Sequence, residues 1–123
     1  MNNVYSNWGY YAIGGRAHAK IYSESNVFSP GQNRQEVTPW YAGSDSLTTF
    51  DTTATIQSRN DLFLNGATFH QFLRFGALTV PRYVRATYYP PIIPTAKLAT
   101  LVQDCSGALF GRRLRACLHS ARN

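Results

Sequence analysis

Hydrophobic and polar positions alternate with a period of two in several short segments, most clearly between Arg82 and Pro94 (RYVRATYYPPIIP). Val84, Ala86 and Tyr88 share one face there, and Tyr83, Arg85, Thr87 and Tyr89 the other, which predicts a long half-buried strand. Pro90, Pro91 and Pro94 end it, because proline has no N–H to give to a ladder. Phe50 to Arg59 is patterned alike, with Thr53, Thr55, Gln57 and Arg59 opposite Ala54 and Ile56. Nearer the N-terminus, Trp8–Ile13 and Arg16–Tyr22 flank Gly14-Gly15, the dipeptide of a hairpin turn. Ser23–Gln35 reads as a polar loop and Val37–Tyr41 as a short edge strand. Asn60–Gly66 reads as turn residues closing on a second hairpin signal, Asn65-Gly66. Thr68–Ala77 fits a strand or a helix; its aromatic content and the preceding Asn-Gly favour the strand. No internal repeat stands out.

After Pro94 the period becomes helical. Thr95 can cap a helix, and Leu98, Leu101, Val102, Cys105 and Leu109 make one apolar stripe that Gly111 is placed to stop. Arg112–Ser120 reads as a second, shorter helix. The expected architecture is therefore α+β: an antiparallel sheet of about six strands, N-terminal hairpin first, then two C-terminal helices. The 123 residues make a single domain, with sheet over 1–91 and helices over 95–121. No signal peptide is recognised, and no apolar run approaches the ~18 residues of a membrane span.

Charge adds a partner class. Twelve basic residues, ten of them Arg, face six acidic ones, for a net charge of +6. That balance favours a polyanion. The two cysteines do not make a disulfide framework, so a reduced compartment is expected. Cys105 lies on the apolar stripe as a small hydrophobe, and neither cysteine is expected to be catalytic or a crosslink. No catalytic motif appears; His18, His70 and His119 stand alone, and Cys117-Leu118-His119 is at most half a metal site. The reading is of a non-enzyme without cofactor. Its notable surface is a set of polar strand faces that mix hydroxyls, arginines and rings: Thr53/Thr55/Gln57/Arg59, Thr68/His70/Arg74 and Tyr83/Arg85/Thr87/Tyr89. Such a face can take phosphates on arginine and unstacked bases on rings, although an ordinary solvated sheet face would also alternate.

In chain order these elements resemble the coat proteins of single-stranded RNA bacteriophages (leviviruses). The resemblance is carried by Tyr83–Pro91 followed by the helix 96–110 with Asp104-Cys105, by Thr52–Asn60 (TTATIQSRN), and by the segment Asn7–Asn26 around its Gly-Gly. It implies a homodimer whose sheet continues across both chains and whose dimers build an icosahedral shell. That capsid would bind genomic RNA, in the form of hairpins, on its inner sheet face and could repress replicase translation. Carried over by position, Thr53, Thr55, Gln57, Tyr83 and Arg85 would contact RNA. Arg59, His70, Arg74, Thr87 and Tyr89 extend the same face. The implied location is the virion, assembled in the bacterial host cytoplasm with no membrane partner. The connection Gly76–Pro81 is shorter than the family's loop. The alternative is a small basic structural subunit of a cellular ribonucleoprotein or respiratory assembly.

Overall fold

The computed structural model describes residues 1–15, 19–38, 55–71, 78 and 92–122. Five strands lie among them: β1 (Val4–Ser6), β2 (Lys20–Glu24), β3 (Val27–Ser29), β4 (Thr55–Arg59) and β5 (Leu62–Phe63). Two helices follow, α1 (Thr95–Cys105) and α2 (Arg112–Arg122). Every pairing among these strands is parallel. β1, β3 and β5 form one sheet in that order, and β2 pairs with β4 in a second. The expected antiparallel sheet is overturned.

The chain winds instead of reversing, and a short motif sets each corner. Ser25 takes a left-handed φ of 53° between β2 and β3, Asn60 one of 55° between β4 and β5, and Asn2 one of 54° before β1. Asn tolerates this conformation because its short side chain bonds locally. The next residue along is Asn26, Asp61 or Asn3, and these three stack as a ladder. The Asn3 backbone N–H donates to Asn26 Oδ1 at 2.8 Å, and the Asn26 backbone N–H donates to Asp61 Oδ1 at 2.8 Å. Asn26 Nδ2 donates to Ser23 Oγ at 2.9 Å, and Ser58 Oγ donates to Asp61 Oδ2 at 2.6 Å. Corner polar groups are thereby satisfied within the coil, as burial demands.

Past each corner an apolar pair enters the strand. Val4, Val27 and Leu62 are in register, as are Tyr5, Phe28 and Phe63. Tyr5 and Phe28 stack at 5.1 Å between centroids, Phe28 and Phe63 at 5.6 Å. Trp8 and Phe69 close on Phe28 from 6.5 and 6.3 Å. Ile56, fully buried, gathers Ile13, Ala19, Ile21 and Phe69. A third line of backbone contact joins the same turns of the coil. The Ala12 and Ile13 N–H groups donate to Val37 O, and Val37 N–H donates to Thr68 O at 2.8 Å. The apolar residues of β1, β3 and β5 thus close on one another within the chain.

Other expectations change with this topology. Trp8–Ile13 is not a strand, and the hairpin expected at Gly14-Gly15 is not formed, since Lys20–Glu24 pairs with Thr55–Arg59 instead. The supposed loop Ser23–Gln35 contains β3, whose Val27 and Phe28 are completely buried. Asn65 and Gly66 do adopt positive φ (50° and 77°), but the turn leads to another parallel contact, the Glu36–Thr68 bridge. Residues 82–91, the clearest alternating segment, lie outside the described residues, as do 39–54 and 72–77.

The helix expected to run to Phe110 ends at Cys105, with Ser106 extended and Gly107 at φ 76°. Its N-cap is Pro94, not Thr95. Gly111, at φ 50°, precedes α2 rather than stopping α1. α2 runs back along α1, and Cys105 and Cys117 are disulfide-bonded across the pair. The expectation that the cysteines form no crosslink is overturned: the break at Ser106-Gly107 puts them on neighbouring helices. Ser120 Oγ also donates to Asp104 Oδ2. The pair docks on the coil through Asn2, whose Oδ1 accepts from Ile93 N–H at 2.8 Å and whose Nδ2 donates to Ile93 O at 2.9 Å. Leu98 is buried on this side, where α1 packs over β1 and β3. Closing a loop of this size by a disulfide is worth about 3 kcal/mol. Reduction should therefore release α2 before the coil, seen as faster amide exchange over 112–122 with the Phe28 region still protected. Equal exchange in both redox states would show that packing alone holds the helix.

Candidate binding surface

One face of the β2–β4 pair brings six polar side chains into register, two of them, Thr55 and Glu24, buried. Lys20 opposes Thr55, Tyr22 opposes Gln57, and Glu24 opposes Arg59. In a parallel pair, opposed residues point to the same side. Arg59 is exposed, Tyr22 half-buried and Glu24 only 7% exposed. The guanidinium pKa is raised, first by a hydrogen bond with Tyr22 and then by electrostatic attraction from the Tyr22 oxygen and Glu24. An arginine is already charged at every working pH. Any stability linked to this shift is complete below the ordinary arginine pKa and fades only as pH rises through the higher folded value, beyond the physiological range.

The residues expected to meet a ligand fall into three groups. Thr55 is buried, 3% exposed, and offers no contact face. Gln57 is engaged as an acceptor, its Oε1 receiving the Leu78 N–H at 2.8 Å. Arg59 is paired as above, and His70 sits half-buried on another wall, its backbone N–H donating to Thr38 Oγ1 at 2.9 Å. Thr53, Arg74, Tyr83, Arg85, Thr87 and Tyr89 lie outside the described residues. Among the described residues of the expected face, Thr55, Gln57 and Arg59 share one strand and His70 lies on another wall.

Exposed cationic chemistry lies elsewhere as well. Lys20 and Arg34 are exposed on the coil, and Arg112, Arg115 and Arg122 on α2. Arg113 is held by the hairpin, its Nη2 donating to Ser106 O at 2.8 Å. A groove of about 330 Å³ between α1 and α2 is lined by Ala96, Lys97, Thr100, His119 and Ser120. Among the described residues, no group of three or more His, Cys, Asp or Glu could hold a metal ion.

The feature that sequence reasoning missed is the corner ladder. Its signal is present three times: Asn2-Asn3-Val4-Tyr5, Ser25-Asn26-Val27-Phe28 and Asn60-Asp61-Leu62-Phe63. It is a repeat, and repeats of this size mark solenoids. The uneven spacing between copies hides it.

No family model matches the chain, and no solved structure does. Two plant proteins are similar to it. "Probable pectate lyase 8" of Arabidopsis thaliana is 37% identical, with 95% of this chain and 27% of that protein covered. "Probable pectate lyase 20" of the same plant is 35% identical over 95% of this chain and 27% of its own length. The chain thus spans about a quarter of the curated relatives it matches. These similarities overturn the resemblance to phage coat proteins, and with it the capsid role, the shell and the location in a virion made in a bacterial host. The relatives are named as enzymes, which also corrects the expectation of a non-enzyme. Neither is a ribonucleoprotein or respiratory subunit.

Proposed function

We propose that this chain is part of a lyase acting on pectate, the polymer of galacturonate. The observation that carries the reading is that nearly the whole chain aligns with two proteins of that name while folding as a parallel coil with a repeated corner. A stack of parallel strands offers a long, regular outer surface, which suits a linear polymer. Basic groups exposed on it, Lys20, Arg34 and Arg59 among them, complement a substrate with a carboxylate on every sugar. The reaction class asks for that complement. Elimination takes the proton from the carbon beside the carboxylate, forms a double bond to the neighbouring carbon, and expels the linked sugar, whose oxygen is protonated. Cations that neutralise the carboxylate make that proton easier to remove. The described residues supply such cations, Arg59 among them. The Cys105–Cys117 disulfide favours an oxidising, extracytoplasmic setting, replacing the reduced compartment first expected.

The test is to incubate the protein with polygalacturonate and follow the ultraviolet absorbance of the unsaturated product, with binding measured in parallel at several salt concentrations. Binding to polygalacturonate that weakens with salt, without binding to neutral galactan, is the expected result. Absence of both binding and product would sink the reading.

A further inference from the structure

Two exposed tyrosines and an arginine meet at one corner of the coil, and the fold holds them there. Asn7 N–H donates to Ser29 O at 3.0 Å, and Ala12 N–H to Val37 O at 3.0 Å. Between these ties the segments 8–11 and 30–36 lie side by side. Arg34 is brought over the Tyr10 ring, its guanidinium carbon 5.2 Å from the centroid. The Tyr10 and Tyr11 rings meet edge to face at 5.5 Å and 66°. Tyr11 is fixed against the backbone at Gly14, where a Cβ would lie only 2.5 Å from its ring. Gly14 therefore serves close approach rather than a hairpin turn.

Despite this order the rings face water, Tyr10 at 68% and Tyr11 at 42% exposure. Among the described residues no carboxylate pairs with Arg34. Among the described residues, an ordered aromatic face thus lies beside a cation with no carboxylate on it. What completes it is a planar-faced, carboxylated, hydroxyl-rich molecule. A pyranuronate has each of these parts: C–H groups for the ring faces, a carboxylate for the guanidinium fork, and hydroxyls for the phenols. We infer that Tyr10, Tyr11 and Arg34 form a subsite for one uronate residue of an acidic polysaccharide. The inference rests on the pectate reading, because that reading supplies the polymer.

The experiment compares wild type, Arg34→Gln, Arg34→Lys and Tyr10→Ala, titrated with oligogalacturonate and with carboxyl-reduced oligomers. All three substitutions are at exposed positions, so thermal midpoints should stay close to wild type. Arg34→Gln should weaken oligogalacturonate binding about tenfold, the value of one charge-assisted contact, and leave the reduced oligomer unaffected. Arg34→Lys, which keeps charge but not the fork or the stacking, should fall between. Tyr10→Ala should weaken both ligands. Wild-type-like binding by Arg34→Gln and Tyr10→Ala, while wild type binds oligogalacturonate, overturns the subsite and leaves the pectate reading standing. No binding by wild type itself overturns both.

Discussion

Replacing Phe28 with alanine should cost about 3–5 kcal/mol, the usual range for deleting a buried ring, and leave the coil close to unfolding. Phe28 is completely buried and sits in the middle of an aromatic column. Tyr5 lies on one side at an interplanar angle of 7°, and Phe63 on the other at 11°. Those neighbours are register partners on flanking strands, so the ladder holds them apart and the hole cannot collapse. Each aromatic pair adds about 0.5–1.5 kcal/mol beyond the area it buries. Against a typical total of about 5–15 kcal/mol, the loss is large. Urea unfolding followed by tryptophan fluorescence should show the midpoint falling with an unchanged slope. A loss below about 1 kcal/mol would mean that the column is not the core.

The second large effect is expected at the corner ladder. Asn26 is 3% exposed, and leucine has the same branched outline but bulkier methyl groups, so Asn26→Leu removes the hydrogen bonds and adds some crowding. Asn26 Oδ1 accepts from both the backbone N–H and Nδ2 of Asn3, at 2.8 and 3.2 Å, and its Nδ2 donates to Ser23 Oγ. Leucine leaves the Asn3 N–H and the Ser23 hydroxyl without their partner. At roughly 1–3 kcal/mol for each buried group left unsatisfied, the loss should reach about 2–4 kcal/mol. Asn26→Asp keeps the acceptor for Asn3 and should cost less. Amide exchange at Asn3 distinguishes the two, since only the leucine variant frees that N–H. Equal stability and equal exchange in both variants would remove the ladder from the account of this fold.

Much of the local structure was legible in the sequence. The alternation of Phe50–Arg59 is a strand over its described part, Thr55–Arg59, the stripe from Leu98 to Leu109 is a helix as far as Cys105, and Asn65-Gly66 turns the chain without making the hairpin expected there. These depend on neighbours along the chain: side-chain period, capping and the residues that tolerate positive φ. Strand direction does not. A period of two is the same in parallel and antiparallel ladders, and Gly14-Gly15 invites a hairpin whether or not the chain makes one. What decides is how the chain turns after each strand. At Ser25 and Asn60 a single left-handed residue bends it onto the next wall, and the ladder of Asn3, Asn26 and Asp61 locks one coil onto the next. Only tertiary structure joins those side chains, 23 and 35 residues apart in the chain. The same holds for the disulfide. Cys105 and Cys117 are far apart on one continuous helix, and adjacent once Ser106-Gly107 breaks it in two. It holds again for the exposed corner, where Arg34 meets Tyr10 because β1 and β3 stack in parallel. Side-chain period along the chain marked local strands and helices; the winding of the chain decided that Val27 and Phe28, read as loop, are buried, and which residues meet.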